Sequence, residues 1–243
     1  MKFERSKRTR IDRTSASRSR CLEAALFFNN IGIQFLLQNC YSQAVVTFQD
    51  AYLLIRRVSL GKGVSAKYLQ TTMTRVWYNI THPHSEKSVQ LVLEVLDASN
   101  DNGKLIECST QRDDVLQHIL ETAPSSLIAL LIQMRELPSN CLRQQVAIME
   151  HNLAIGLFCC EKIALSSKDA LHFSEKAALS FLDMRRTRSS DTGLLCLTIA
   201  ALNSYLHLLQ ENKKEDSILM CYEILGQCRD AACDKMERLK QLH

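Results

Sequence analysis

The sequence predicts an all-α protein built from antiparallel helix pairs, interrupted by a long insertion that contains a short extended strand. Three observations carry this expectation. Apolar residues recur at three- and four-residue spacing along most of the chain, the period of a helix with one buried face. Only 3 prolines and 7 glycines punctuate 243 residues, whereas sheet-rich folds need more frequent turns. Finally, the run Phe28-Asn29-Asn30-Ile31-Gly32-Ile33-Gln34-Phe35, followed by Ala44, Phe48 and Ala51, describes two helices meeting at close range. Phe28, Ile31 and Phe35 share a face of the first helix, and Ala44, Phe48 and Ala51 share a face of the second. Gly32, lacking a side chain, admits the second helix, with the small Ala44 expected at the crossing point. Gln38-Asn39-Cys40-Tyr41 is a turn of the length that joins antiparallel helices.

This arrangement resembles the tetratricopeptide repeat, whose pattern is an aromatic, a Leu-Gly pair, an aromatic, then Ala, Phe and Ala at set offsets. Phe28, Ile31, Gly32, Phe35, Ala44, Phe48 and Ala51 fall on those offsets, with Arg56 in place of the closing proline. A second copy begins at Met149: Asn152-Leu153-Ala154-Ile155-Gly156-Leu157 echoes the first run, and Ala170, Phe173 and Ala177 follow after an insertion of about two residues in the turn. A third has Tyr205 and Leu206 at the Leu-Gly position and Ile218 and Tyr222 at the Ala and Phe positions. Such pairs cannot bury their apolar faces alone and need neighbours.

The resemblance implies a stacked superhelix whose groove binds a peptide or a partner helix without catalysis. Its groove positions correspond to Leu26, Asn29, Ile33, Leu36 and Leu37 in the first copy and Glu150, Leu153, Leu157, Cys160 and Glu161 in the second. Family members that hold a carboxylate terminus use Lys and Asn where this chain has Asn29 and Ile33, so an apolar ligand fits better than an acidic tail. The alternative is an ordinary helical bundle, in which these residues are core covered by the insertion or the C-terminal helices.

Taken in order, residues 1–20 form a basic arm, 21–58 the first helix pair, 59–138 an insertion or degenerate pair, and 139–243 the C-terminal repeat-like helices. Helices are predicted over Arg18–Gln38, Tyr41–Val58 and Ala66–Ile80, with Gly61 and Gly63 closing the second. Residues 89–96 alternate like a strand yet also satisfy a short buried helix; 100–103 are a loop, and 112–121 a short helix. The apolar run from Ser126 to Met134, bounded by Pro124 and Pro138, reads as a strand, expected to lie in or beside the groove and cap it from within. From Ser139 onward the pattern is helical, with breaks near 166–167, 185–192 and 212–215.

The arm carries eight Lys or Arg against Glu4 and Asp12, a net +6 that leaves the remaining residues at −2. Its composition cannot bury enough surface to fold alone, so a solvated disordered tail is expected. A weak contact with nucleic acid or an acidic surface, or a nuclear-entry or phosphorylated tail using Ser15, Ser17 and Ser19, are the competing readings. With no secretory pattern and no apolar run of bilayer-spanning length, a cytoplasmic or nuclear location is expected. The 10 cysteines include Cys159-Cys160, with no Cys-x-x-Cys pair, which favours reduced thiols acting as small apolar groups.

Neither a cofactor nor a metal is expected. His82-Pro83-His84 with Glu86 and His118 reads as a surface loop before it reads as a metal site. Cys159 and His151 stand about 12 Å apart along a helix axis, too far for proton transfer. Gly61 and Gly63 lack the strand-loop-helix setting of a phosphate loop.

Overall fold

The computed structural model describes residues 2–85, 93–97, 116–117, 120–121, 127–131, 142–164 and 167–241. Its elements are α1 (Lys2–Leu37), α2 (Tyr41–Ser59), α3 (Ala66–Thr81), β1 (Leu93–Asp97), β2 (Leu127–Leu131), α4 (Leu142–Ala164), α5 (Ser167–Thr187), α6 (Thr192–Glu211) and α7 (Glu215–Gln241). The protein is all-α in class, and its helices pack serially: α2 against α1 and α4, α5 against α4 and α6, and α7 against α6.

Short connections enforce the contacts of α1 with α2 and of α4, α5, α6 and α7 in turn, whereas α2 meets α4 across α3 and the insertion. At the end of α1, Asn39 takes a left-handed conformation (φ 59°); its N–H reaches Leu36 O, and the N–H of Cys40 reaches Phe35 O. The same two-bond closure recurs at Gly61 (φ 68°) after α2 and at Lys213 (φ 53°) after α6. It uses the orphan carbonyls of each last turn and reverses the chain within a few residues. Helix starts are fixed by side chains: Ser65 accepts from the Tyr68 N–H and Asp191 from the Leu194 N–H.

The ring of Phe48 on α2 sits between two glycines of different helices. A Cβ placed on Gly32 of α1 would lie 2.5 Å from Phe48 Cε1, and one on Gly156 of α4 would lie 3.0 Å from Cδ2. This corrects the expectation that Ala44 meets Gly32: Ala44 is fully buried, but the glycine is required by an aromatic ring. Phe28, Phe35, Ala51, Ile155, Ala170 and Ala177 are buried as the pattern predicts, while Ile31 and Phe173 are half-buried, Phe173 standing edge-on to Tyr52. The third pair has no equivalent ring, since Tyr222 is 43% exposed and its hydroxyl accepts from Gln210.

Three further findings differ from the sequence reading. The basic arm is the first half of α1, not a separate disordered stretch; no Gly or Pro interrupts it, and a helix already nucleated by the packed Cys21–Leu37 half extends at little cost. The ambiguous 89–96 segment contributes β1, which pairs in parallel with β2, Leu93 opposite Leu127 and Asp97 opposite Leu131. And α6, 20 residues of mean hydropathy 1.5, is long and apolar enough by length and composition to cross a membrane; here 78% of that stretch is buried, with α6 packed between α5 and α7 and against β2.

Gly32→Ala is expected to lower stability by about 1–3 kcal/mol despite alanine's better helix propensity, because the ring of Phe48 must move. Gly156→Ala is expected to cost less. Phe48→Ala is expected to cost about 3–5 kcal/mol, and urea denaturation of the three variants checks this order.

Candidate functional site

The predicted groove residues divide by helix face. Leu26, Asn29, Ile33 and Leu36 of α1 and Glu150 and Leu153 of α4 are at most 3% exposed, Leu157 is half-buried, and Leu37 remains open at 49%. An open groove at these positions is therefore corrected to a filled one. β2 lies against α1, α4 and α6, and its Leu127, Ile128, Ala129 and Leu130 are each at most 1% exposed. Glu150 points elsewhere, toward α5, where Lys176 donates to its carboxylate and also to the Tyr52 hydroxyl at 3.1 Å. Burial pulls the Lys176 ammonium down, but these bonds carry it above its ordinary range. The side chain of Glu161 lies outside the described residues.

β2 is held through its backbone. Alternate residues of a paired strand turn their polar groups to opposite edges, so one edge of β2 serves β1 and the other must find partners among the helices. The Ile128 N–H donates to Ser204 Oγ of α6 (3.1 Å), and Ile128 O accepts from His151 Nε2 of α4 (2.6 Å). The Leu130 N–H donates to Asn152 Oδ1 (2.8 Å), and Leu130 O accepts from Asn152 Nδ2 (2.7 Å) and from Asn29 Nδ2 of α1 (3.3 Å). Asn152 Nδ2 also reaches Asn29 Oδ1 at 2.8 Å, tying α4 to α1 directly. Asn29, His151, Asn152 and Ser204 are all 0% exposed. The side chains of β2 divide as well: Leu127 and Ala129 join the core around Ile33, Phe48 and Leu153, while Ile128 and Leu130 join the core around Phe28, Phe181 and Leu206.

Burial pushes the imidazole of His151 down to about 4, outweighing the bond to Ile128 O, so at neutral pH it is uncharged with Nε2–H as the donor. The sign follows: the folded state resists a proton that the unfolded chain accepts near 6.5, so the contribution is intact above that pH and is lost as pH falls toward 4.

An open apolar slot lies elsewhere, between α1 and α3. Phe27, Phe28, Met73, Thr74, Trp77 and Ile80 line a cavity of about 390 Å³. Trp77 is 66% exposed, Met73 50% and Phe27 37%. α3 is anchored at its other side: Val76 and Thr72 are buried, Arg75 pairs with the buried Asp50, and Gln43 donates to Asn79 O and His82 O. Burial raises the Asp50 carboxyl against the pull of Arg75. In the sequence, Met73, Trp77 and Ile80 fall on the apolar stripe of α3 with Leu69 and Val76 and so read as core; Phe27, outside the Phe28, Ile31 and Phe35 stripe, is the available signal for the slot.

For metal chemistry, no group of three or more His, Cys, Asp or Glu among the described residues is placed to hold an ion. His82 stacks on Tyr78 at 4.3 Å, and Glu86 and His118 lie outside the described residues. His151 is engaged with β2 rather than with Cys159. Of the eight described cysteines, six are buried; Cys228 accepts from Arg185, and burial pushes Cys221 up to about 12. No family model, no curated protein and no solved structure matches this chain.

Asn152→Leu strands the Leu130 N–H without its partner and is expected to cost about 1–3 kcal/mol in denaturant unfolding. Lowering pH from 7 to 4 is expected to remove about 3 kcal/mol through His151. His151→Gln, which keeps a donor for Ile128 O, should show a correspondingly shallower loss over the same range.

Proposed function

We propose that the chain is a non-enzymatic protein-interaction scaffold of tetratricopeptide-like design, in which α1/α2, α4/α5 and α6/α7 act as three stacked pairs and α1, α4 and α6 form the strand-holding face. The observation that carries this reading is the seating of an extended segment on that face by main-chain hydrogen bonds. Grooves that accept extended peptides use the same mode, with affinity coming from backbone contacts and selectivity from side-chain pockets. Because β2 fills the face, a partner engages either by exchanging with that segment or at an apolar surface left open, such as the α1–α3 slot.

A second reading is favoured by one specific observation, the continuous helix of α1 that carries eight Lys or Arg within its first nineteen residues. Such a helix attracts nucleic acid or an anionic surface through charge alone, in a salt-dependent and sequence-independent way.

Affinity capture from native lysate with the full chain and with a chain lacking residues 1–20 separates the two. The scaffold reading expects the same bound proteins in both, retained at raised salt. Loss of all binding on removal of the arm, together with elution by modest salt, would leave only the polyanion reading.

A further inference from the structure

The turns at the two ends of the helical stack differ in charge. α2 runs antiparallel to α4, with Ser42 facing Cys160 and Phe48 facing Gly156, and the short α4–α5 connection reverses the chain once more. α2 and α5 therefore point the same way, and Tyr52 of the first touches Phe173 and Lys176 of the second. The α2–α3 and α5–α6 turns consequently leave the stack at one end and the α6–α7 turn at the other. Around the α2–α3 turn, residues 56–67 hold Arg56, Arg57, Lys62 and Lys67 and no Asp or Glu. Around the α5–α6 turn, residues 185–190 add Arg185, Arg186 and Arg188, again without an acid. At the opposite end, the α6–α7 turn sets Lys213 and Lys214 against Glu211, Glu215 and Asp216.

The cations of the basic end are exposed and uncommitted. Arg56, Arg57, Lys62, Lys67, Arg186 and Arg188 all face solvent, and none is paired with a carboxylate among the described residues. Of the acids that flank them in sequence, Asp50 is paired with Arg75, Asp183 is paired with Arg143, and Asp191 accepts from the Leu194 N–H. Arg18 of α1 reaches the same end, where it donates to Val58 O, a carbonyl that leaves its charge in place. Unpaired cations on separate turns, most of them Arg, suit a polyanion whose charges repeat along its length. A single strand would need open rings to stack on, but Tyr52 and Tyr68, the rings beside these cations, are covered by Arg56 at 6.0 Å and Arg57 at 5.2 Å. A membrane surface is met by an apolar face beside the cations. Here Leu60 is the one large exposed apolar side chain between 56 and 67, and the exposed Trp77 and Tyr222 lie toward the other end.

We propose that the α2–α3 and α5–α6 turns together form a binding surface for the phosphodiester backbone of a nucleic-acid duplex, held by charge and not by base sequence. The proposal rests on the polyanion reading and gives it a second contact, on two turns of the stack and separate from the first half of α1.

The test is the salt dependence of affinity for a short fluorescent duplex, made as DNA and as RNA, read by anisotropy on the full-length protein. Each phosphate contact removed makes the slope of log affinity against log salt shallower by about 0.9 on DNA. Lys62→Gln combined with Arg188→Gln is therefore expected to make the slope shallower by about 2 and to weaken binding by about tenfold at low salt. Lys67→Gln with Arg186→Gln is a second pair with the same expectation. Lys168→Gln with Lys214→Gln removes the same charge at the opposite end and is expected to bind as the parent does. All six positions are exposed, so the variants are expected to keep the parent circular dichroism, which checks their fold. Parental affinity and slope in both turn variants overturn the proposal, as does an equal loss in the opposite-end variant, which would mark an effect of net charge alone. Binding of a single strand or of anionic vesicles as tight as that of the duplex, and as sensitive to Lys62 and Arg188, overturns it in favour of those ligands. A parent that binds the duplex while the turn variants are unchanged leaves the polyanion reading on α1 alone; a parent that binds no polyanion fails that reading as well.

Discussion

The ring of Phe48, wedged between Gly32 and Gly156, sets the spacing on which the helical stack depends. Two glycines on different helices yield to one aromatic, so α2 can touch α1 and α4 at once without a gap. A void at that point would remove dispersion contacts on both sides, and a larger residue at either glycine would push a helix outward. The interaction couples α1, α2 and α4 instead of stabilising one helix pair alone. Where the third pair lacks such a ring, its packing relies on the apolar length of α6, buried along most of its surface.

A second constraint follows once α1, α4 and α6 are brought alongside one another. They present a face that the insertion fills with β2, and the bare edge of that strand is answered by four buried side chains drawn from all three helices. Each of those polar groups would be costly to bury alone; their bonds to the strand's backbone offset that cost. The same segment sends alternate side chains into two separate apolar cores. β2 thus acts as a tie between cores as well as the occupant of a groove, which is why the residues first read as a ligand surface are interior.

Much of this was legible in the sequence. Helix periodicity placed α2 and α3 within a residue or two, Gly32 and Gly156 marked the close approaches, and the β-branched and Leu-rich run after Pro124 gave β2. Two things were harder to read. Small-on-small contact, the simplest way to bring helices together, points to Ala44 as the partner of Gly32, whereas the glycines accommodate the Phe48 ring from both sides. The clamp on β2 leaves only a faint trace in the sequence: each of α1, α4 and α6 carries a polar pair inside an apolar stretch, Asn29-Asn30, His151-Asn152 and Asn203-Ser204. Polar residues at buried helix positions require a partner, and for Asn29, His151, Asn152 and Ser204 that partner is a backbone about 20 to 100 positions away, which periodicity within a helix does not reveal.

The central claim is that the chain's own extended segment occupies the face formed by α1, α4 and α6 through main-chain bonds. Amide hydrogen exchange of the native protein, read at Ile128 and Leu130, tests it most directly. The account predicts that both amides exchange as slowly as those of buried α6, opening only with global unfolding. Exchange at the rate of an exposed loop, while α4 and α6 remain protected, would contradict it and return that face to an open groove.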